Sequence, residues 1–465
     1  MFHQNTYTQR RAHLQQAIAS GLILLPGHTE SPINCADNTY PFRQDSNFLY
    51  YIGIDQPNLA ALIDADTGVT TLFGNDFTMN DIVWMGPQPA LAELAAAAGI
   101  ETTRGYDDLA EVIQQAKAQG RPIHFLPPYR GETKILLSHW LQLPLAELAA
   151  RVSIPFIKAV VAQRDVKTDE EIAEIEQAVN ISGRMHVAAM QNAHPGIREA
   201  VLRGLVEGLA LSEDCSLAYA PIITVHGQTL HNHHYGNTLQ KGQLLLGDFG
   251  SESPRRYAGD ITRTFPVDKT FTNQQREIYN IVLAAENQSI EAIKPGVPYR
   301  QVHLLAATII TEGLKSIGLM QGDTAEAVQT GAHALFFPHG LGHMLGLDVH
   351  DMEDLGEDYV GYDPTVQRSD QFGLRSLRLA RALQPGFVLT VEPGIYFIPE
   401  LIDAWQAERR HAAFIRYDKL AAYRHFGGIR IEDNVFVTPT GSQVLGHPIP
   451  KTPEAVEAIR SQSGA

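Results

Sequence analysis

Five residues of metal-binding type, Asp248, Asp260, His343, Glu392 and Glu432, each lie inside a short, unusual local sequence in the second half of the chain. The segments read GQLLLGDFG, YAGDITRTFP, HGLGHMLGLDVHD, LTVEPGIYF and GGIRIEDNVFV, and most of them set an acid at the end of, or just beyond, an apolar run patterned as a buried strand. An unpaired buried carboxylate is costly, so each needs a partner. Arg263 and Arg430 neighbour Asp260 and Glu432 and offer one, whereas Asp248 and Glu392 have no cation close in sequence. A shared metal site accounts for all four acids at once.

Hard oxygen donors with one imidazole suit Mn, Co, Zn or Mg better than thiolate-seeking ions. Two such ions about 3.5 to 4 Å apart acidify a shared water and polarise a carbonyl together, so hydrolysis is the reaction this set implies. N-caps, turns or salt bridges would explain any one acid, but not all five residues in these contexts. His339 and His343 have the i, i+4 spacing of a helical zinc pair, yet Gly340 stands where the general-base Glu of HExxH belongs. Gly340, Gly342 and Gly346 also oppose a helix there, so His343 alone is read as a ligand. His339 and His350 are left for substrate contact or proton transfer. Four more histidines, His226, His231, His233 and His234, crowd TVHGQTLHNHHYGNT. One of them near the metals would serve as donor to a developing oxyanion.

The elements that must position these groups fall into two blocks, as expected for 465 residues when one core seldom grows past roughly 250 to 300. From about 10 to 150, β-rich runs (LILL, NFLYYIGI, AALIDA, TTLF) alternate with alanine-rich helical stretches near 90–98 and 108–118, an α/β pattern. Thr168 with Glu171 forms a capping-box signature, followed by Ile172, Ile175, Val179 and His186 on one helical face. A second domain therefore starts near 155–168, dividing the chain into 1–158 and 159–465. Within it, helices are expected at 169–191, 196–211, 273–293 and 299–317, laid on an antiparallel sheet in an α+β architecture. QKGQLLLGDFG written over QPGFVLTVEPG, and YAGDITRTFPV over GGIRIEDNVFV, suggest an internal duplication pairing Asp248 with Glu392 and Asp260 with Glu432. The four carboxylates would then meet at a pseudo-twofold axis, with His343 between the halves.

Composition narrows the function classes. A formal charge of −16 without a dense Lys/Arg cluster argues against nucleic acid or an anionic membrane as partner and suits a soluble enzyme. Cys35 and Cys215 have no CxxC or paired spacing, so neither a disulfide framework nor a zinc ribbon is indicated, and a reduced, cytoplasmic setting is expected. The apolar stretch in AIASGLILLPG is too short to span a bilayer and is broken by Pro26.

Taken together, GDFG, YAGDITRTFP, HGLGHMLGLDVHD, VEPGIYF and GIRIEDN resemble the proline-specific metallopeptidases with the pita-bread fold, aminopeptidase P and prolidase. YPFRQDSNFLYYIG at 40–53 is similar to their N-terminal domain, so the resemblance covers nearly the whole chain. It implies a dinuclear centre, with Asp260 and Glu432 bridging two divalent ions, Asp248 holding one, and His343 with Glu392 holding the other. Manganese is the first expectation for the metal, with cobalt or zinc as alternatives. The resemblance also makes Glu392 general base or proton shuttle, His231 the substrate-binding histidine and His350 the contact to the scissile-side carbonyl, while His339, Arg430 and Tyr396 line or support the pocket.

A short proline-containing peptide is the implied substrate, cleaved after its first residue by an Xaa-Pro aminopeptidase, or as a dipeptide by a prolidase. GLRSLRLARALQPGFVLTVEPGIYF resembles prolidase, including Arg378 where prolidases bind the dipeptide carboxylate, whereas YAGDITRTFPV resembles bacterial aminopeptidase P. The stretch NHHYGNT keeps His234 open as an alternative to His231. A homodimer or homotetramer is implied as well, with Trp84 placed where relatives reach a neighbouring active site. A non-catalytic pita-bread module, or a metal-free hydrolase on the same fold, fits poorly because all five ligand types are in place.

Overall fold

The computed structural model describes residues 1–462. It divides into two compact units, Met1–Arg164 with Glu353–Tyr359, and Asp165–Met352 with the chain from Val360 onward. The break falls beyond the expected 158/159 because that point lies inside one helix, Ile154–Arg164. This helix is tied to the first unit: the Tyr51 hydroxyl donates to Gln163 Oε1 at 2.6 Å, and Arg164 donates to Asn47 Oδ1 at 2.7 Å.

In the first unit a five-stranded sheet runs in the order Thr102–Arg104, Thr70–Phe73, Ala60–Asp64, Leu22–Pro26, Ile123–His124, antiparallel in the middle and parallel at both outer pairs. The run NFLYYIGI, expected as a strand, belongs instead to the helix Ser46–Ile52. Asp45 accepts from the backbone N–H groups of Asn47 and Phe48, both at 2.9 Å, and Gly53 at φ 77° ends the helix in the left-handed region. Phe48 through Ile52 are all buried, so the run lacks the polar face by which a surface helix is recognised, and its aromatic content imitates a strand. On the surface of this unit the helix Met79–Met85 buries none of its residues, and Trp84 there is 81% exposed.

The second unit repeats one order: helix pair, hairpin, helix pair, hairpin. The helices are Asp169–Asn192, Glu199–Leu211, Asn273–Ala292 and Tyr299–Ser316, close to the expected ranges. Thr168 and Glu171 form the expected box, each side chain accepting from the other's backbone N–H. The strands do not form one sheet. Leu244–Asp248 pairs with Thr262–Pro266 and with Ile222–Thr224, while Val388–Val391 pairs with Asp433–Val437, which carries Ser442–Val444 on its other edge. A lone antiparallel bridge, Thr262 to Glu432, connects the two hairpins.

These registers correct half of the expected duplication. Asp248 lies opposite Thr262, and Val391 lies opposite Asp433, so Glu392 falls opposite Glu432. Asp248 and Glu392 are therefore equivalent, as expected, but the counterpart of Glu432 is Thr262, and that of Asp260 is Arg430. The acids of the second overlay stand two residues apart, which keeps them on one strand face but at different points of the ladder.

Just inside this unit, Lys167 Nζ lies 2.9 Å from Asp351 Oδ2, both side chains being 1% exposed, so neither charge has water to fall back on. Lys167→Ala is expected to cost about 3–5 kcal/mol in urea unfolding, because it strands a buried carboxylate. The double variant Lys167→Met/Asp351→Leu is expected to lose less, and an equal or larger loss in the double variant would contradict this account of the pair.

Candidate metal centre

Strand ends and turns deliver the five predicted residues to one place. Asp248 ends Leu244–Asp248, Asp260 precedes Thr262–Pro266, Glu392 follows Val388–Val391, and Glu432 sits between Gly428–Arg430 and Asp433–Val437. His343 comes from an irregular segment pinned along Val388–Val391. Thr390 N donates to His343 O at 3.0 Å, His343 N donates to Thr390 Oγ1 at 3.1 Å, and Glu392 N donates to Leu341 O at 2.8 Å. No helix forms there, as the glycines imply.

Ligand atoms of Asp260, His343 and Glu432 all lie within 4.8 Å of one another. His343 Nε2 is 3.3 Å from Asp260 Oδ2 and 3.6 Å from Glu392 Oε1. Its Nδ1 is 3.0 Å from Met344 O; assigning the proton to Nδ1 lets it donate there and leaves Nε2 bare toward the acids. The Tyr219 hydroxyl completes the ring by touching Asp248 Oδ1 at 2.6 Å and Asp260 Oδ1. One hydroxyl proton cannot serve both carboxylates.

The charges do not balance within the protein. Asp248, Asp260 and Glu432 are buried and Glu392 is partly so, and the arginine reaching this cluster is Arg430. Its partner differs from the expected one: Arg430 Nη2 donates to Asp248 Oδ2, its Nε donates to Thr262 Oγ1 at 3.1 Å, and Thr262 in turn donates to Glu432 Oε2 at 2.7 Å. Arg263 serves Asp433 (2.6 Å) rather than Asp260. Burial lifts the Glu392 carboxyl to about 7, with Arg430 opposing and Asp260 and Asp248 adding to the rise. Burial, together with Asp260, Glu392 and Asp248, drives Glu432 well above its ordinary value. Asp260 is also pushed up by burial, but hydrogen bonding and charge from His343 in its protonated form, with help from Tyr219, bring it to a net fall.

Glu432 Oε1 is buried without a hydrogen-bond partner among the described residues, which fits a metal ligand. Four carboxylates against one arginine leave about two to three negative charges that divalent ions would neutralise. The donor set, all oxygen and one imidazole nitrogen, fits such ions.

Around this centre stand the other predicted residues. His350 packs on His343 with ring centroids 4.2 Å apart at 64°. His339 Nδ1 lies 2.7 Å from Gly340 O, and assigning its proton there leaves Nε2 to accept from the Tyr396 hydroxyl at 2.9 Å; the Tyr396 oxygen accepts from Arg430 Nη1 at 2.7 Å. Desolvation, reinforced by Arg430, lowers His339 to about 3 and keeps it neutral. His231 lies on an exposed loop; partial desolvation lowers its pKa, with Asp248 opposing and Arg430, Arg378 and His350 adding to the fall. Half-buried Arg378 thus acts electrostatically on both His231 and His339. His226, His233 and His234 are exposed, and the His234 ring folds back toward Gly236.

Sequence reasoning missed Tyr219, Thr262, Thr390 and Asn434. Asn434 clasps the backbone of Asp260 from the other hairpin, accepting from its N–H at 2.9 Å and donating to its carbonyl at 2.5 Å. His186 was read only as part of a helix face. It is fully buried, stacks on Phe249, and places Nε2 3.1 Å from Phe249 O and 2.9 Å from Ile261 O, the carbonyls just after Asp248 and Asp260. Strand alternation put Thr262 on the face of Asp260, a usable signal; Tyr219 in LAYAP carried none. The close approach is made backbone to backbone: a Cβ on Gly250 would stand 1.7 Å from Gly259 O, and one on Gly342 2.0 Å from Thr390 O.

Comparison with known proteins agrees with this geometry. The profile of metallopeptidase family M24 matches residues 173–439, and that of the aminopeptidase P N-terminal domain matches residues 7–124. The human Xaa-Pro dipeptidase is 33% identical over 460 residues, spanning 95% of this chain and 88% of that protein. A probable Xaa-Pro aminopeptidase of Fusarium vanettenii is 34% identical over 450 residues, spanning 95% and 92%. Zinc-substituted Escherichia coli aminopeptidase P in complex with product superposes with a TM-score of 0.82 at 28% identity, covering 99% of each chain. The expected two-domain α+β fold is borne out. The chain belongs to metallopeptidase family M24, beside the Xaa-Pro dipeptidases and aminopeptidases, with an aminopeptidase P N-terminal domain preceding its catalytic domain.

Proposed function

We propose that this protein is a dinuclear metal-dependent exopeptidase that hydrolyses the Xaa-Pro bond at the N-terminus of short peptides. The observation that carries the reading is the under-compensated cluster of Asp248, Asp260, Glu392 and Glu432 around His343, with Glu432 Oε1 left unpartnered among the described residues. Asp248, Asp260, His343, Glu392 and Glu432 would together hold two divalent ions, manganese first among them. Such ions supply Lewis acidity toward the scissile carbonyl and acidify a water.

The remaining work belongs to side chains. Glu392, with Oε1 3.6 Å from His343 Nε2, takes the proton of the attacking water and passes it to the leaving proline nitrogen. His350, against His343, donates to the carbonyl oxygen as negative charge develops, and His231 holds the peptide. His339 stays neutral and keeps the Tyr396–Arg430 chain in one direction, which orients Asp248.

A second reading restricts the substrate to dipeptides. It is favoured by Arg378, a cation whose charge acts on His231 and His339 and which suits the free carboxylate of a C-terminal proline. The exposed apolar helix Met79–Met85 with Trp84 is the surface for contact between copies in a homodimer or homotetramer. No described helix is long and apolar enough to cross a membrane, and Cys35 and Cys215 are both free, which suits the reducing cytoplasm.

Chelation is expected to abolish hydrolysis and lower Tm, and manganese is expected to restore both with two ions bound per chain. Saturation by elemental analysis at one ion would overturn the dinuclear assignment. Glu392→Gln should lower kcat by about 10²–10⁴-fold on any Xaa-Pro substrate, and full turnover would remove Glu392 from the proton path. Arg378→Ala should raise KM for an Xaa-Pro dipeptide far more than for an Xaa-Pro tripeptide; equal effects would favour the aminopeptidase reading.

A further inference from the structure

The hairpin that carries Tyr396 closes at the Tyr396–Gly428 pair, so residues 397–427 are an excursion that the metal-bearing strands do not need. It begins with the helix Pro399–Ala407 and is anchored at its far end, where Gln321 N donates to Phe414 O at 2.8 Å and Met320 bridges Ile415. Among its buried side chains is Trp405, 3% exposed, with Arg410 4.4 Å over the ring and His411 5.3 Å from it. The ring meets Phe372 edge-on, centroids 5.8 Å apart at 65°. Phe372 lies six residues before Arg378, on the loop that brings Arg378 to His231 and His339.

The rest of that loop is already fixed. Leu377 is buried and its carbonyl accepts from the Tyr362 hydroxyl at 2.7 Å. Gly340, beside His339, lies so close that a Cβ would stand 2.9 Å from Ser376 O and Leu377 Cα, while a Cβ on Gly361 would stand 1.7 Å from Arg378 O. Between Phe372 and Leu377 the chain turns through Gly373 at φ +90° and a single 3₁₀ turn whose Arg375 and Ser376 are exposed. The other end of this turn is held by Gln371, which donates to Gln329 O at 3.2 Å, and by Phe372 between Trp405 and Arg375, so displacing Phe372 would load the turn whose far end carries Arg378.

We propose that Trp405, through Phe372, is a positioning residue that holds Arg378 in register for a carboxylate directly after proline, so that the 397–427 excursion sets the preference for dipeptides. This rests on the dipeptide reading of Arg378.

The test compares the dipeptide Ala-Pro with its amide, which lacks the carboxylate, taking KM for each, or Ki where turnover is slow, in metal-loaded full-length protein. Trp405→Ala and, independently, Phe372→Ala should raise the dipeptide KM roughly 3- to 10-fold, the size of one lost aromatic contact, with kcat, metal content and the amide constant unchanged. Trp405→Phe should restore most of the loss. Equal weakening of dipeptide and amide, or an unchanged dipeptide KM in a folded variant whose Arg378→Ala counterpart shows the selective rise, would overturn the positioning role. If Arg378→Ala itself leaves the dipeptide KM unchanged, the reading of Arg378 falls and the proposal with it.

Discussion

Like charges forced together out of water are the constraint on which this catalytic unit turns. Asp248, Asp260, Glu392 and Glu432 are delivered by two separate hairpins, and each hairpin alone would carry acids with little to oppose them. Much of the neighbouring chemistry reads as a response. Arg430 spans Asp248, Thr262 and Tyr396, Thr262 reaches Glu432 across the only bridge between the hairpins among the described residues, and Tyr219 touches two acids with one proton. What the protein leaves uncompensated is the share that the proposed divalent ions would take.

That constraint also explains what the sequence made legible. An acid ending an apolar run is rare enough to be noticed, so Asp248 and Glu392 stood out, and their equivalence followed from QKGQLLLGDFG overlaid on QPGFVLTVEPG. Asp260 and Glu432 were found as site residues but matched to each other wrongly: YAGDITRTFPV over GGIRIEDNVFV sets Asp260 against Arg430 and Thr262 against Glu432, the correspondence the strands adopt. The partners of the arginines were not readable: Arg430 serves Asp248, far away in the chain, although Glu432 is its sequence neighbour. In the first unit the helix Ser46–Ile52 escaped notice because burial on all sides erased its period, and only Asp45 and Gly53 betrayed its ends.

Direction is built into the polar chain beside the centre. Arginine can only donate, so Arg430 makes the Tyr396 oxygen an acceptor, the Tyr396 hydrogen then goes to His339 Nε2, and His339 passes Nδ1–H to Gly340 O. The Tyr396 hydroxyl and the His339 ring proton are both spent, which leaves His339 unable to act as an acid without reversing the chain. The strand that holds Tyr396 leads straight into the excursion whose first helix sets Trp405 against Phe372 of Arg378's loop, so the polar wall of the site and its outer rim share one continuous piece of backbone.

The glycine contacts at Gly250 and Gly342 bear on how such a scaffold can vary. Where main chain rests on main chain at distances no Cβ tolerates, there is no side chain whose replacement could reshape the cavity. Evolvability is thereby partitioned: main chain packed in this way, at Leu377–Arg378 as well as in the floor, tolerates little substitution, while a rim segment such as 397–427 can vary. Substrate choice can then diverge between descendants of one ancestor without passing through an inactive intermediate.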